Sequence, residues 1–443
     1  MIWKDFWGML RPVITDSLKN YSRSQFFTDI SAGIIVGIVA VPLCIAFAIA
    51  AGVSPEKGLL SAFISSVVIA FLGGSRFQIT GPTGAFAVIL CGAAQRHGFD
   101  GLAAATLMAG VILIIMGVVK LGAVVRFIPY PVVIGFTGGV GVIIFTFQIS
   151  DLLGLHIHNM PSSFTGKWAA YAGGLSHVDW QAAVLSGVCV LIMIFWQYVN
   201  RRMNSRIPGA LFAILFSAAA VPVFGLNVET IGSRFGEIPS AFSVPVMPQF
   251  DYAIAIKLFL PALSIAMLCA IEGLLSAAVA DSMTGTKHRS NMELVAFGAA
   301  NILSPLFGGI AVTGAVARTA ANIRSGGRTP VAGLAHAIIL LLVVLCLGRW
   351  VKLIPLCALA AVLVMVAYGM SEWRKFAAIL KRPSSDIAVL ITTFILTLLV
   401  NLTAAVLAGG ALAALIFAYG RTRQTPKASN QVSGSDRKPV NAR

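Results

Sequence analysis

The chain has 443 residues, of which 58% are hydrophobic and only 11% are charged, and its mean hydropathy is +0.90. A water-soluble surface needs more charge than this, so the composition excludes a soluble globular protein and predicts a surface that faces lipid. The formal net charge of +16 does not indicate a nucleic-acid partner. With a cytoplasmic N-terminus and fourteen crossings, most of the 32 lysines and arginines fall on the cytoplasmic side, as expected for a membrane protein.

Apolar runs of membrane-spanning length recur along the whole sequence and predict an all-α polytopic protein of the plasma (inner) membrane with both termini in the cytoplasm. The fourteen predicted segments are 28–50, 58–72, 82–94, 101–119, 130–150, 181–199, 209–224, 253–280, 292–307, 314–323, 331–347, 353–370, 385–401 and 404–420. The predicted regions are a cytoplasmic N-terminal segment (1–24), a first set of seven segments (25–225), an extracellular connection (226–251), a second set of seven (252–421) and a disordered cytoplasmic tail (422–443).

The third and tenth segments are too short to cross a hydrocarbon core about 30 Å thick at about 1.5 Å per residue. Each follows a glycine pair, and short extended stretches at 76–80 and 310–312 are predicted to lead into them. Non-helical backbone at membrane depth is tolerated only where protein or a wet cavity surrounds it. We therefore predict two half-helices that begin inside the membrane.

The two short segments also resemble each other in sequence. Thr83 begins the run T-G-A-F-A and Thr313, 230 residues later, begins T-G-A-V-A. An offset near half the chain indicates two related halves, and seven crossings per half would give them opposite orientations. Paired interrupted segments in inverted repeats are typical of the binding site of a secondary transporter.

Two helix N-termini that meet at membrane depth can bind an anion without a full positive charge, because each offers unpaired N–H groups and the positive end of a helix dipole. The predicted starts are at 82–84 and 313–315, where a threonine could cap each helix and a glycine allows close approach of the ligand. The alternative is that both segments are merely kinked helices that pack through small residues.

Two charged residues in the apolar segments carry further hypotheses. Arg318 is expected to add positive potential over the anion, unless it snorkels to the interface or pairs with a carboxylate. Glu272 is expected to carry the coupling ion, because burial favours the neutral, protonated carboxyl and the ionised form is a ligand for Na⁺. Ser276, one helical turn later, could supply another oxygen. The alternative for Glu272 is a structural ion pair with Arg318 or Lys257.

The sequence resembles the sulfate permease (SulP) family over residues 24–421. The motifs that carry the resemblance are 29–42 (DISAGIIVGIVAVP), 80–84 (TGPTG), 270–285 (AIEGLLSAAVADSMTG), 313–319 (TGAVART) and 322–330 (NIRSGGRTP). The resemblance implies fourteen segments in two inverted seven-segment repeats, a core domain that moves against a gate domain, and a homodimer. Most members of that family carry a cytoplasmic STAS domain after the last segment, whereas this sequence has a short tail there, so the resemblance covers the membrane region only.

The resemblance places the anion between the starts of the third and tenth segments, and the first segment also lines the site. The implied anion-binding residues are Thr83, Gly84, Gly314, Ala315, Val316, Leu43 and Phe47. It assigns the coupling ion to Glu272 and Ser276. No catalytic residue, cofactor or further metal site is expected.

We therefore predict a non-enzymatic secondary active transporter, and more specifically a symporter, of a small inorganic anion, with sulfate as the first choice and bicarbonate as the second, coupled to H⁺ or Na⁺. A nucleobase carrier of the same architecture is the nearest alternative, although such carriers have an acid in the tenth segment, where this chain has Arg318. A membrane protein that responds to anions without transporting them is the alternative from another class.

Overall fold

The computed structural model describes residues 11–19, 21–122, 129–155, 164–203, 209–236, 252–346 and 348–400, together with 157, 160–161, 245, 404–405, 408–413 and 415–416. The predicted tail 422–443 lies outside the described residues, as do most of the connection after residue 236 and parts of the last predicted segment.

The described residues are mostly helical. The elements of the first half are α1 (Ile14–Ser17), α2 (Arg23–Ala50), α3 (Pro55–Leu72), β1 (Thr80–Gly81), α4 (Gly84–Val118), α5 (Tyr130–Leu153), α6 (Phe164–Gly174), α7 (Trp180–Met203), α8 (Gly209–Phe224) and α9 (Ile231–Phe235). Those of the second half are α10 (Tyr252–Thr284), α11 (Ser290–Leu306), β2 (Thr313–Gly314), α12 (Val316–Arg324), α13 (Val331–Cys346), α14 (Gly348–Val351), α15 (Leu356–Met370), α16 (Trp373–Ile379) and α17 (Ser384–Leu399).

Seven helical stretches in the described part are long and apolar enough to cross a membrane, and four apolar helices are shorter. These helices support an integral membrane protein but do not establish the predicted count of fourteen crossings. The predicted third and fourth segments are joined in one helix, α4, which is interrupted at Gly98, where φ is +68° and the backbone leaves the helical region. Glycine adopts this conformation readily. The predicted break between the third and fourth segments is therefore present as a kink at Gly98, without a loop between them.

The helices pack in two groups. The first contains α2, α3, α4, α10, α11, α12 and α13, with α11 packed along α4 and α13 along α2. The second contains α5, α7, α8, α15 and α17, with α15 and α17 packed against α5. Contacts of α5 with α4 and of α15 with α2 join the two groups. The site described below lies in the first group, next to α5.

Small residues allow close helix packing in the first group. At the crossing of α4 and α11, a methyl group on Gly110 would lie 2.7 Å from the carbonyl oxygen of Gly298, and one on Gly298 would lie 2.6 Å from that of Gly110. Neither glycine could therefore carry a side chain at this separation of the helix axes. Close approach of backbones through small residues is the usual way in which helices pack in membranes.

Non-helical backbone precedes both short helices, as the sequence predicts, and polar side chains satisfy it. Asn301 donates to Val312 O and accepts from Val312 N, both at 2.9 Å. Ser61 accepts from Ile310 N at 2.7 Å, and Ser304 donates to Ile310 O at 2.6 Å. These backbone groups are buried, so one without a hydrogen-bond partner would cost several kcal/mol in a membrane. The side chains supply the hydrogen bonds that the backbone of a helix would otherwise supply.

Candidate functional site

The site is organised around a two-stranded antiparallel ladder formed by β1 and β2. Thr80 pairs with Gly314 and Gly81 pairs with Thr313. Because the strands are antiparallel, the helices that follow them leave from opposite ends of the ladder, and both N-termini point back towards its centre. The backbone at 76–79 and 310–312 is non-helical, as the predicted extended stretches require, and strand pairing falls at 80–81 and 313–314.

The two half-helices begin at different places relative to the repeated motif. The first begins at Gly84, directly after Thr83, as predicted. The second begins at Val316 with Ala315 as its N-cap, two residues after the predicted segment start at 314, so Thr313 does not cap it. Thr313 and Gly314 are instead taken into the ladder with β1. Residues of identical type at an offset of 230 therefore have different backbone roles, because ladder pairing, rather than local sequence, decides where the second helix starts.

Unpaired backbone donors are present at both starts. In α4 the first helical N–H with an acceptor is that of Ala87, which donates to Thr83 O at 3.0 Å, and in α12 it is that of Thr319, which donates to Ala315 O at 2.8 Å. Within the described part of the chain, the N–H groups at 84–86 and 316–318 donate to no other group. Such donors, together with the positive helix ends, are what an anion requires at membrane depth.

Arg318 is nearly fully buried, with 2% of its surface exposed. Its Nη2 donates to Pro82 O at 2.7 Å, and its Nη1 donates to Thr80 O at 3.3 Å and lies 3.4 Å from Cys44 Sγ. The burial of Arg318 contradicts snorkelling, and none of the ion pairs in the described part of the chain includes it, so a carboxylate partner is wrong as well. The guanidinium binds the backbone immediately before α4 and places a full positive charge beside its start.

Glu272 belongs to α10 and is linked to the first half-helix. Its Oε2 accepts a hydrogen bond from the hydroxyl of Thr83 at 2.8 Å. Thr83 is the N-cap residue of α4, but its side chain makes no capping bond to the backbone, so the predicted capping role is wrong. Since the described ion pairs do not include Glu272, a structural pair with Arg318 or Lys257 is also wrong. Both Thr83 and Glu272 are partly exposed residues, and their hydrogen bond places the carboxyl group next to the start of α4.

Ser276 lies in a buried polar cluster one turn from Glu272. Its hydroxyl donates to Thr319 Oγ1 at 3.1 Å and to Gln78 Oε1 at 3.3 Å. The Nε2 of Gln78 in turn donates to Gly273 O at 3.2 Å. These oxygens are of the type that Na⁺ binds, but Ser276 is hydrogen-bonded to other residues rather than directed at Glu272.

The glycines of the site are required by close contacts. A methyl group on Gly314 would lie 1.8 Å from Gln78 Nε2 and 3.1 Å from Gly273 Cα, so β2 packs directly against the helix that carries Glu272. A methyl group on Gly84 would lie 2.4 Å from Ile144 Cδ1 in α5. Gly84 is therefore the point at which the site touches the second group of helices.

Two residues of the first predicted segment, Leu43 and Phe47, lie close to the ladder and the start of α4. Phe47 is buried, and its ring lies 3.3 Å from the position of a methyl group on Gly84. Leu43 is partly exposed and precedes Cys44, the contact of Arg318. Ala315 is buried and donates to Ile79 O at 2.9 Å, whereas Val316 is partly exposed. The structure thus brings all the predicted site residues into one region around the ladder.

Three polar residues of this region were not predicted from the sequence. Gln78 and Thr319 connect Ser276 to the ladder, and Asn301 holds the strand that leads to β2. A signal for Gln78 was present, because it is a polar residue within the extended stretch that precedes a predicted half-helix. In the described part of the chain, no group of three or more His, Cys, Asp or Glu residues could hold a metal ion.

Comparisons with known proteins agree with this geometry. The family model for the Sulfate permease family matches residues 26–393. The chain is 42% identical over 414 residues to "Putative sulfate transporter YvdB" of Bacillus subtilis, covering 93% of this chain and 77% of that protein. It is 33% identical over 389 residues to "Bicarbonate transporter BicA" of Picosynechococcus, covering 85% and 68% respectively.

Solved structures show the same fold. The transmembrane domain of a cyanobacterium bicarbonate transporter BicA aligns with a TM-score of 0.77 at 30% identity, over 89% of this chain and 98% of that one. The structure of SLC26A9 aligns with a TM-score of 0.85 over 95% of this chain and 69% of that one. Its identity of 19% supports likeness of fold alone. The helical membrane fold, the match over residues 26–393 and these relatives together show that the chain belongs to the sulfate permease family.

Proposed function

We propose that this chain is a secondary active symporter of a small inorganic anion, with sulfate as the first candidate and bicarbonate as the second. The observation that carries the proposal is the convergence of two half-helix N-termini, with unpaired N–H groups, on the ladder formed by β1 and β2. The named relatives include sulfate and bicarbonate transporters, which supports an inorganic anion as the substrate.

The electrostatics favour an anion over a neutral substrate. Arg318 adds a full charge beside the start of α4, and the ion pairs of the described residues leave that charge uncompensated. The short helix α12 contains no acid in its sequence VARTAANIR, which disfavours a nucleobase carrier. Neither feature distinguishes a tetrahedral from a planar oxyanion, because backbone N–H groups bind both.

Glu272 supports coupling to a cation. A partly exposed carboxylate that accepts a hydrogen bond from Thr83 can take up H⁺ or Na⁺, and either would lower the repulsion between this carboxylate and an arriving anion. The cation and the anion would then each raise the affinity for the other, which favours the doubly loaded state that a symporter moves.

The proposed architecture follows the two groups of helices. We assign the first group, which holds the site, to the core domain and the second to the gate domain, in two inverted repeats of seven segments. The proposed protein is a homodimer in the plasma (inner) membrane with both termini in the cytoplasm. The close contact between Gly84 in the core domain and Ile144 in the gate domain would break and re-form when the core moves against the gate.

Reconstitution in liposomes tests the proposed function. Purified protein should accumulate labelled sulfate or bicarbonate under an imposed inward H⁺ or Na⁺ gradient, and transport of neither anion under either gradient would contradict the proposal. The substitution Glu272→Gln should abolish gradient-driven accumulation while anion exchange continues, since the backbone donors remain. Glu372→Gln, on a turn where the carboxylate pairs with Lys375, is the matched control and should accumulate normally. Wild-type accumulation by Glu272→Gln would show that Glu272 is structural.

A further inference from the structure

Lys167 in α6 is a buried lysine with an unusual set of neighbours. Only 7% of its surface is exposed, and its Nζ lies 4.5 Å from the centroid of the Phe147 ring in α5. The sequence places this lysine in a loop outside the membrane segments, where a solvated side chain would be expected.

The ammonium group has no carboxylate partner among the ion pairs that the described residues form. Burial lowers the pKa of Lys167 below its ordinary value, and the neighbouring Cys91 opposes this only in part. The attraction of a cation for an aromatic ring is small beside the cost of burying an unpaired charge. The aromatic contact therefore leaves most of the cost of burial uncompensated.

The position of Lys167 connects it to the site. Phe147 is one helical turn after Ile144, the residue that packs on Gly84 at the start of α4. Cys91 lies on α4 itself, about 10 Å along the axis from Gly84 at about 1.5 Å per residue. Lys167 thus lies between α4 of the first group of helices and α5 of the second, along the boundary that leads to the site.

We propose that Lys167 forms an anion subsite on the route to the central site, which it shares with the Phe147 ring and which an inorganic oxyanion occupies in passing. This proposal rests on the proposed function. An oxyanion is the partner that the buried ammonium lacks, and the positive charge draws the anion to the boundary between α4 and α5. When the two groups of helices separate, the lysine becomes more hydrated and releases the anion towards the half-helices.

Lys57 provides a matched control. It also lies over an aromatic ring, that of Phe99, with its Nζ 3.0 Å from the centroid. However, it is less buried than Lys167, and the acidic side chains of Glu56 and Asp100 act on it with opposite charge. If the aromatic contact alone mattered, replacing either lysine would have the same effect on anion affinity. The subsite proposal predicts an effect only for Lys167, which has no acidic neighbours among the described residues.

The experiment compares Lys167→Met, Lys167→Arg and Lys57→Met in proteoliposomes, with labelled sulfate and labelled bicarbonate. We expect Lys167→Met to raise the half-saturating anion concentration about tenfold, and Lys167→Arg and Lys57→Met to stay within about threefold of wild type. The wild-type value should increase with ionic strength more steeply than that of Lys167→Met, because the screened charge is gone from the variant.

A second measurement separates this proposal from the proposed function. Thermal unfolding in detergent is recorded with sodium sulfate, with sodium bicarbonate and with neither. If the wild type moves no anion but sulfate or bicarbonate stabilises it, and Lys167→Met loses that stabilisation at low anion concentration, the subsite stands and symport fails. If neither anion stabilises the wild type, or if Lys167→Met folds and retains wild-type half-saturation, or if Lys57→Met has the same effect, the subsite proposal is wrong.

Discussion

Replacement of Arg318 separates its electrostatic role from its structural one. Arg318→Lys keeps the positive charge but replaces the planar fork by a single ammonium, which cannot reproduce the donation of both Nη atoms to Pro82 O and Thr80 O. Arg318→Gln removes the charge as well. Both variants therefore lose the planar guanidinium, and only Arg318→Gln also loses the positive charge.

The magnitudes follow from the geometry. The guanidinium lies 2.7 Å from Pro82 O, and Gly84 follows two residues later, so its charge lies within about 10 Å of the first free N–H groups. At an effective dielectric constant of about 20, a unit charge at about 10 Å contributes roughly 1.7 kcal/mol, or about 15-fold in anion affinity. A lost hydrogen bond from a charged donor costs about 1.5–3 kcal/mol of folding free energy.

We expect Arg318→Lys to unfold at a lower temperature than wild type but to keep the half-saturating anion concentration within about threefold. Arg318→Gln should be similarly destabilised and should raise that concentration about 15-fold. The assays are thermal unfolding in detergent and uptake of labelled sulfate and bicarbonate by proteoliposomes. Wild-type half-saturation in Arg318→Gln would refute the electrostatic role, and an equal increase in both variants would assign the effect to the fork instead.

Two other substitutions test the packing of the site and the cluster at the end of the first group of helices. Gly314→Ala should displace Gln78, since the added methyl lies 1.8 Å from its Nε2. This overpacking costs about 1–3 kcal/mol, and we expect the uptake rate to fall at least tenfold. The control Gly369→Ala, with open space around the added methyl, should transport at the wild-type rate. Asp16→Asn should lower the unfolding temperature at pH 7, because the hydrogen bond from Arg289 holds the pKa of Asp16 below its ordinary value of 3.8. A carboxylate whose pKa is lower in the folded than in the unfolded protein stabilises the fold above its unfolded-state pKa, and this stability is lost as pH falls through the folded-state pKa. The difference in unfolding temperature between Asp16→Asn and wild type should therefore persist at pH 5 and narrow below about pH 4.

Some outcomes would contradict these two predictions. Uptake by Gly314→Ala at the wild-type rate would show that β2 and Gln78 can separate without affecting the site. An unfolding temperature of Asp16→Asn equal to that of the wild type at pH 7 would show that Asp16 contributes nothing measurable through Arg289, Arg11 and Lys19, its three cationic partners.

The sequence by itself determined the class of the protein and the region of the site. Few charges and recurrent apolar runs can only be accommodated in lipid, so the membrane class follows from composition. Glycine pairs before two segments too short to span predicted broken helices, because glycine weakens a helix wherever it occurs. The predicted helix start then singled out Thr83, and charge within apolar segments singled out Glu272 and Arg318, which the structure brings together.

Only the tertiary structure decided what each of these residues does. Thr83 donates its hydroxyl proton to Glu272 at 2.8 Å, and its oxygen accepts from none of the N–H groups at the start of α4. Arg318 binds two carbonyls instead of a carboxylate, and the second half-helix starts at Val316 because Thr313 and Gly314 pair with β1. Lys167 is buried by α4 and α5, which are distant from it in sequence. Contacts between residues far apart in the chain leave no periodic or compositional trace, so sequence alone predicts residue types and positions but not their partners.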